Sequence, residues 1–209
     1  MKAQMSPLGK KTVFDVDDIL WDMNGRVAKL TGIDYKKFTS FSVYENPNVT
    51  DAERRQILSL YVNSRLFTDI PFNDRIVKLV NRIHHEYPEF PVYISSNNST
   101  KEIRDLKMEQ LLSVLDLPEE RIHLHVVNVE TESCQKKFPD DIFLVADDSP
   151  HNIEMANAVH KIMPARPWNN VLVNGCLNGC KVDRPQTDTE FADAVLQYLE
   201  NAVSVCRKK

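Results

Sequence analysis

Apolar runs alternate with amphipathic segments along this chain, a pattern that predicts a parallel β-sheet covered by helices. The runs expected to form buried strands are Thr12–Val16, Phe90–Ser95, Ile122–Val127, Ile142–Ala146 and Val171–Val173. The pattern therefore predicts an α/β fold with a Rossmann-like three-layer core.

Capping boxes mark three helix starts, each with a hydroxyl residue followed by Glu three positions later. They are Thr50-Asp51-Ala52-Glu53, Ser99-Thr100-Lys101-Glu102 and Thr187-Asp188-Thr189-Glu190. Apolar stripes follow the second and third boxes at helical spacing, so both helices are expected to pack on a face of the sheet.

The first two predicted strands are separated by residues 17–89, far more than one crossover requires. Helical patterns are found around Met23–Leu30 and Asp51–Leu66, and Asn73–Glu86 is predicted to return to the sheet. We therefore predict a core domain of residues 1–21 and 71–209. Residues 22–70 would form a small helical cap inserted after the first strand, over the edge where open α/β sheets bind ligands.

Composition excludes several classes of protein. The chain has 209 residues, of which 42% are hydrophobic and 27% charged, with a formal net charge of −4. This balance is typical of a globular protein and argues against binding to a nucleic-acid polymer. No apolar run approaches the roughly 20 residues that span a bilayer, and no signal peptide is visible. The expected location is cytoplasmic, and the oligomeric state stays open.

Carboxylates cluster where two predicted strands end. Asp15, Asp17 and Asp18 close the first strand, and Asp147 and Asp148 follow the strand at 142–146. Crowded carboxylates repel each other unless a cation lies between them. Hard oxygen ligands suit Mg²⁺, which is the cofactor that this pattern predicts.

These residues resemble the motifs of the haloacid dehalogenase-type phosphohydrolases. Asp15-Val16-Asp17 matches the first motif, Ser96 (or else Ser95) the second, Lys137 (or else its neighbour Lys136) the third, and Asp147-Asp148 the fourth. Within that superfamily the chain resembles the 5′(3′)-deoxyribonucleotidases, on the position of the insertion and the short interval between Lys137 and Asp148.

The resemblance implies a role for each motif residue. Asp15 would be the nucleophile that forms an aspartyl phosphate, and Asp17 the general acid and base. Mg²⁺ would be held by Asp15, the main-chain carbonyl of Asp17 and Asp148, with Asp147 behind them. The substrate phosphate would be bound by Ser96, Asn97 and Lys137.

Other polar residues are interpreted as secondary. Asp18 is expected to be a solvated or capping residue, and His151 to line the site without binding metal. The segment Arg166-Pro167-Trp168-Asn169 either borders the pocket or forms a packed turn. Cys176 and Cys180 are expected to be free thiols, with a structural metal as the weaker alternative.

The expected substrate is a small phosphomonoester, a nucleoside monophosphate by the resemblance. Aromatic residues of the insertion could stack a base; they are Phe38, Phe41, Tyr44, Tyr61 and Phe67. The alternatives are a phosphatase for sugar phosphates or other small phosphometabolites and, further off, a receiver-type signalling domain. The order of the motifs disfavours the receiver, because there the acid pair precedes the phosphorylated Asp.

Overall fold

The computed structural model describes residues 8–40, 46–61, 64–127, 136–172 and 175–207. Within these residues, five parallel strands form one sheet in the order β3-β2-β1-β4-β5. The strands are β1 Lys11–Phe14, β2 Val92–Asn98, β3 Ile122–Val126, β4 Ile142–Ala146 and β5 Ala158–Ile162. The predicted α/β fold class is confirmed.

The described part of the chain contains six α-helices. They are α1 Met23–Thr31, α2 Asp51–Tyr61, α3 Asp74–Glu86, α4 Lys101–Val114, α5 Pro150–Met155 and α6 Asp188–Arg207. The capping box at Thr50 and Glu53 is present. At α4 the cap is Thr100, one residue later than expected, because its hydroxyl accepts the amide of Ile103.

Alternating side chains of the strands divide the core into two clusters. Phe14 of β1 points into the larger cluster, together with buried residues of α3, α4 and α6. Val13 points the other way, into a smaller cluster with Ile153 of α5. Helices therefore cover both faces of the sheet, and the carboxyl ends of the strands are left free for polar groups.

The fifth strand differs from the expectation. Val171 lies in irregular structure, and Val173 lies outside the described residues. The edge position is instead taken by β5, which pairs with β4 from Ala158 to Ile162. An edge strand is solvated on one side, so β5 mixes polar and apolar residues and gives no continuous apolar run.

The segment between β1 and α3 leaves the sheet and returns to it at the same point, where its two ends pair with each other. Trp21 and Phe72 form an antiparallel bridge, and the amide of Asn73 donates to the carbonyl of Leu20 at 2.7 Å. Between these two crossings lie α1 and α2, which contact each other. Buried residues of this insertion, such as Ile57, belong to the same cluster as Phe14 of the sheet.

A short hairpin, β6 Cys176–Leu177 and β7 Cys180–Lys181, follows the sheet. Cys176, Cys180 and Cys206 are free thiols, while Cys134 lies outside the described residues. None of the helices in the described residues is long and apolar enough to cross a membrane.

Candidate active site

The register of the central strands brings the polar residues together. Phe14 pairs with Ile94 of β2 on one side and with Ala146 of β4 on the other. The amide of Asp15 still donates to the carbonyl of Ala146, at 2.9 Å. The residues after β1 and β4 therefore leave the sheet side by side, as parallel strands require.

Lys136 lies between two of the buried carboxylates. Its Nζ is 2.6 Å from Asp15 Oδ1 and 2.6 Å from Asp147 Oδ2. Burial disfavours the charge of this ammonium, but attraction to Asp147 and Asp15 outweighs burial and raises its pKa. Lys136 is therefore a fixed positive charge beside the predicted nucleophile.

Both carboxylate oxygens of Asp147 accept hydrogen bonds from the protein. Its Oδ1 accepts the amide of Ser149 at 2.9 Å, and both oxygens accept from Nδ2 of Asn152 at 3.1 and 3.2 Å. With Lys136 on Oδ2 as well, this carboxylate holds its neighbours in place, the supporting role that the resemblance implies.

Asp148 is oriented by the segment that follows β5. Trp168 Nε1 donates to Asp148 Oδ2 at 2.7 Å, and Asn169 Nδ2 donates to the carbonyl of Asp148 at 3.0 Å. Trp168 and Asn169 are themselves buried. The segment at 166–169 thus borders the site, and the Trp168 bond leaves Asp148 Oδ1 for another partner.

The carboxylates suit a divalent cation. Asp15, Asp147 and Asp148 each offer one oxygen within 4.8 Å of the others, and all three are buried. Among the described residues, only the ammonium of Lys136 lies within ion-pair distance of these three carboxylates. One ammonium cannot neutralise three buried carboxylates, and an all-oxygen donor set is the one Mg²⁺ prefers.

The pKa values of Asp15 and Asp148 are both raised, which agrees with too little positive charge around these carboxyls. Burial raises the pKa of Asp15 to about 7, with Asp147 and Asp17 adding to the shift and Lys136 opposing it. Burial, together with Asp18, Asp147 and Asp15, raises the pKa of Asp148 well above its usual range. A bound cation would reverse both shifts because it favours the charged carboxylates.

Asp17 contacts a different lysine. Lys107 Nζ of α4 lies 2.7 Å from Asp17 Oδ2 and 3.0 Å from Oδ1. Trp21 Nε1 donates to Oδ1 at 2.7 Å, and the Ser96 hydroxyl donates to Oδ2 at 3.4 Å. Asp17, which follows β1, and Ser96 of β2 are therefore in contact, and the ion pair of Asp17 with Lys107 was not predicted.

Asp18 is a buried capping residue. Its carboxylate accepts the backbone amide and Nδ2 of Asn24 at 2.9 and 2.7 Å, which ties α1 to the turn after Asp17. Asp18 has a φ of 58°, a left-handed conformation that disfavours most residues. The guanidinium of Arg166 holds its carbonyl oxygen at 2.7 and 3.2 Å, and so fixes the turn that follows Asp17.

Two predicted phosphate ligands are placed elsewhere. Lys137 is exposed, and Lys136 occupies the position expected for it. The two lysines are adjacent, and the loop geometry turns only the first of them inward. Asn97 pairs with His125 of β3, and strand alternation directs its side chain to the face opposite that of Ser96. His151 is exposed at the start of α5.

Aromatic residues of the insertion differ in their surroundings. Phe38 is buried against Tyr35 and belongs to the core. Burial, with the charge of Asp18 and Asp17 adding to it, raises the pKa of Tyr61. Phe67 lies over Lys107, while Phe41 and Tyr44 lie outside the described residues.

A cavity of about 400 Å³ opens beside the turn that contains Asp18. Its walls come from the two chain crossings and from Arg166, and include Asp18, Trp21, Tyr35 and Phe72. The cavity is thus next to the carboxylate cluster, at the junction between the insertion and the sheet.

Comparisons with known proteins agree with the fold. No protein-family model matches the chain, and no curated protein matches it. Among solved structures, a hydrolase from Pseudomonas syringae aligns with a TM-score of 0.54 at 12% identity, over 90% of this chain and 98% of that one. A protein named "Putative beta-phosphoglucomutase", from Bacteroides vulgatus, aligns with a TM-score of 0.53 at 12% identity, over 95% of this chain and 91% of that one. These likenesses show that the chain has the fold of these two proteins, which agrees with the predicted three-layer α/β core.

Proposed function

We propose that this chain is a Mg²⁺-dependent phosphomonoester hydrolase that acts through an aspartyl phosphate on Asp15. The observation that carries the proposal is the arrangement of Asp15, Lys136, Asp147 and Asp148, with Asp17 and Ser96 beside it. Each residue type has a task that phosphoryl transfer requires. Asp15 and Asp17 follow β1, Ser96 belongs to β2, and the acid pair follows β4, while Lys136 comes from the loop before β4.

Charge is the first problem of this reaction. A phosphate monoester dianion repels a carboxylate nucleophile, so positive charge must lie next to both. Lys136 supplies a fixed part of it at 2.6 Å from Asp15. Mg²⁺, held by Asp15, Asp148 and the main-chain carbonyl of Asp17, would supply the remainder by neutralising phosphate charge when bound.

Proton transfer is the second problem. In the first half of the reaction, an oxygen of Asp15 bonds to phosphorus, the ester P–O bond breaks, and the proton of Asp17 goes to the leaving oxygen. In the second half, a water molecule gives a proton to Asp17 and attacks phosphorus, which releases Asp15. The Ser96 hydroxyl, 3.4 Å from Asp17 Oδ2, would hydrogen-bond a phosphoryl oxygen during both halves.

For the substrate we propose a nucleoside monophosphate. Support comes from the resemblance to the deoxyribonucleotidases and from the aromatic residues of the insertion, among them Tyr61, which could stack a base. A sugar phosphate is the second candidate, since the named beta-phosphoglucomutase shares the fold.

The test is phosphate release from a panel of nucleoside 5′- and 3′-monophosphates, hexose phosphates and p-nitrophenyl phosphate, with Mg²⁺ or with EDTA. We expect Mg²⁺-dependent turnover that is highest on a nucleotide and is lost in Asp15→Asn. Asp140→Asn, a change at an exposed carboxylate before β4, is the matched control and should keep full activity. In acid-quenched enzyme, mass spectrometry should find the phosphoryl group on the peptide that contains Asp15.

Two results would contradict the proposal. Absence of turnover by the wild type on every ester, or full turnover by Asp15→Asn, would exclude the hydrolase with this nucleophile. Equal rates across the panel would leave the hydrolase in place and remove the nucleotide as its preferred substrate.

A further inference from the structure

The cavity of about 400 Å³ adjoins the proposed active site through two of its walls. Trp21 is one wall, and its Nε1 donates to Asp17 Oδ1 at 2.7 Å. Tyr35 is another, and its ring packs edge-on against Trp168 with 6.0 Å between the ring centres. Trp168 in turn donates to Asp148 Oδ2. The cavity therefore lies next to residues that the proposed reaction uses.

The size and the aromatic walls of this cavity suit an organic group. Its volume falls within the range of about 300–1,000 Å³ that is usual for small-molecule sites. Three of its walls are the aromatic side chains of Trp21, Tyr35 and Phe72. The rings of Trp21 and Phe72 lie 5.7 Å apart, in contact with each other. A flat or ring-shaped group can pack against such walls.

The charged walls are mainly carboxylates. Asp18, Asp22 and Asp188 line the cavity, and Arg166 is the only cation among its described wall residues. Neither Asp22 nor Asp188 has a Lys, Arg or His within ion-pair distance in the part of the chain that the structure describes. The cavity thus has an excess of negative charge.

The donors of Arg166 are directed at the protein itself. Its Nε and Nη2 donate to the carbonyl of Asp18 at 3.2 and 2.7 Å. Its Nη1 donates to the carbonyl of Ala165 at 3.2 Å. Each nitrogen of the guanidinium therefore already has a main-chain partner, so Arg166 acts as a support of the turn.

Neutral donors hold the two outer carboxylates. Asp22 Oδ1 accepts the amide of Gly25 at 2.9 Å, and Asp188 Oδ2 accepts from Asn73 Nδ2 at 2.9 Å. Such bonds fix the position of a carboxylate without cancelling its charge. An anionic group in the cavity would meet both charges.

We propose that this cavity binds the leaving group of the substrate, and that Asp22 and Asp188 select against a leaving group that is negatively charged. This inference rests on the hydrolase proposed above. The substrate class is the phosphate monoester of a neutral or cationic alcohol, such as a nucleoside or an amino alcohol. A carboxylate or a second phosphate on the alcohol is repelled, so specificity comes from rejection of the wrong ester.

The test uses three aryl phosphates of similar size whose leaving phenols have similar acidity, so that they differ mainly in charge. They are 4-ethylphenyl phosphate, 4-(2-aminoethyl)phenyl phosphate and 4-(carboxymethyl)phenyl phosphate, with a neutral, a cationic and an anionic tail. In a partly solvated cavity, repulsion by two carboxylates should make kcat/KM on the anionic ester lower than on the neutral ester by roughly 10-fold. The cationic ester should be hydrolysed at least as well as the neutral one.

Asp22→Asn and Asp188→Asn remove the two charges and keep the hydrogen bonds. Asn caps a helix as well as Asp does, and its carbonyl at position 188 can still accept from Asn73. In the double variant, kcat/KM should become nearly equal on the neutral and anionic esters. Asp193→Asn is the matched control and should keep the wild-type ratio, because Asp193 is exposed on α6 and is not a wall of the cavity.

A second measurement needs no variant. High salt screens charges that are partly exposed to solvent, and Asp22 and Asp188 both are. Raising the ionic strength should therefore bring the wild-type values of kcat/KM on the neutral and anionic esters closer together. A ratio that does not change with salt would overturn the inference.

Failure of the inference and failure of the proposed function give different results. A wild type that hydrolyses the three esters with equal kcat/KM refutes the selection by charge and leaves the hydrolase intact. A preference that persists unchanged in the double variant also refutes it, because the repulsion then comes from other carboxylates. A wild type that hydrolyses neither these esters nor p-nitrophenyl phosphate refutes the hydrolase, and the inference falls with it.

Discussion

Replacing Lys136 with Met would remove the ammonium that lies between Asp15 and Asp147 while keeping most of the side-chain volume. Each of its 2.6 Å contacts represents about 6 kcal/mol of Coulomb attraction at an effective dielectric constant of about 20. Desolvation of the buried charges offsets much of this attraction. Removal of one partner from a buried pair therefore destabilises a protein by about 3–5 kcal/mol.

For a chain of this size, such a loss corresponds to a melting temperature lower by roughly 6–20 °C. The matched control is Lys137→Met, which changes the adjacent exposed lysine and should alter the free energy of unfolding by no more than about 0.5 kcal/mol. Thermal unfolding followed by circular dichroism measures both. In the phosphatase assay, Lys136→Met should lower kcat by about 100-fold or more, and Lys137→Met should leave it unchanged.

The loss of stability in Lys136→Met should be larger at high pH than at low pH. Without the ammonium, the charged form of Asp15 is less favourable, so the pKa of this carboxyl, already raised by burial, rises further. A carboxyl whose pKa is raised by folding contributes stability at low pH and loses that contribution as pH rises. The variant should therefore lie closer to wild type at pH 5 than at pH 8. A larger effect of Lys137→Met, or a melting temperature of Lys136→Met equal to that of wild type, would refute this reasoning.

Three further outcomes are expected. Trp168→Phe removes the hydrogen bond to Asp148 and should weaken Mn²⁺ binding, measured by electron paramagnetic resonance, by about 10–100-fold; unchanged binding would exclude this role. Since burial raises the pKa of Asp15 to about 7, protons should compete with the metal ion for this carboxylate. Calorimetry should therefore find that Mg²⁺ affinity increases from pH 6 to pH 8. An affinity that does not change with pH would contradict Asp15 as a metal ligand. Arg166→Met releases the carbonyl of left-handed Asp18 and should lower the free energy of unfolding in urea by about 1.5–3 kcal/mol; Arg166→Lys should recover part of it.

The sequence was sufficient to predict four of the five strands, including the edge strand β3, but not the other edge strand, β5. β4, Ile142–Ala146, is buried along its whole length and has the bounds expected from its apolar run. β5 has partly exposed residues at four of its five positions, so its hydrophobic pattern is incomplete. Such a strand is specified by pairing with its neighbour, which a local pattern does not record.

The carboxylates of the site could be predicted from the same apolar runs, but the choice between the adjacent residues Lys136 and Lys137 could not. The positions of Asp15, Asp147 and Asp148 could be inferred because apolar runs end directly before them. Whether Lys136 or Lys137 turns inward depends on the path of a loop, and adjacent residues in irregular structure carry no periodic signal that decides it.

Lys107 was missed although a signal was present. Ile103, Lys107 and Leu111 are spaced by four residues, so they share one face of α4. A lysine in the centre of an apolar stripe must find a buried acceptor. That its acceptor would be Asp17, 90 residues earlier in the chain, follows only from the tertiary structure.

One buried cluster joins Phe14 of the sheet to Ile57 of the insertion, so the insertion cannot be removed without cutting the core. Excising the insertion would expose apolar surface on both fragments and remove one wall of the shared core. At about 25 cal/mol for each Å² exposed, a few hundred Å² would consume most of the 5–15 kcal/mol that stabilises a typical domain. The insertion and the sheet are therefore expected to unfold as one cooperative unit, and an exchange of insertions between proteins of this fold would have to bring the matching core residues with it.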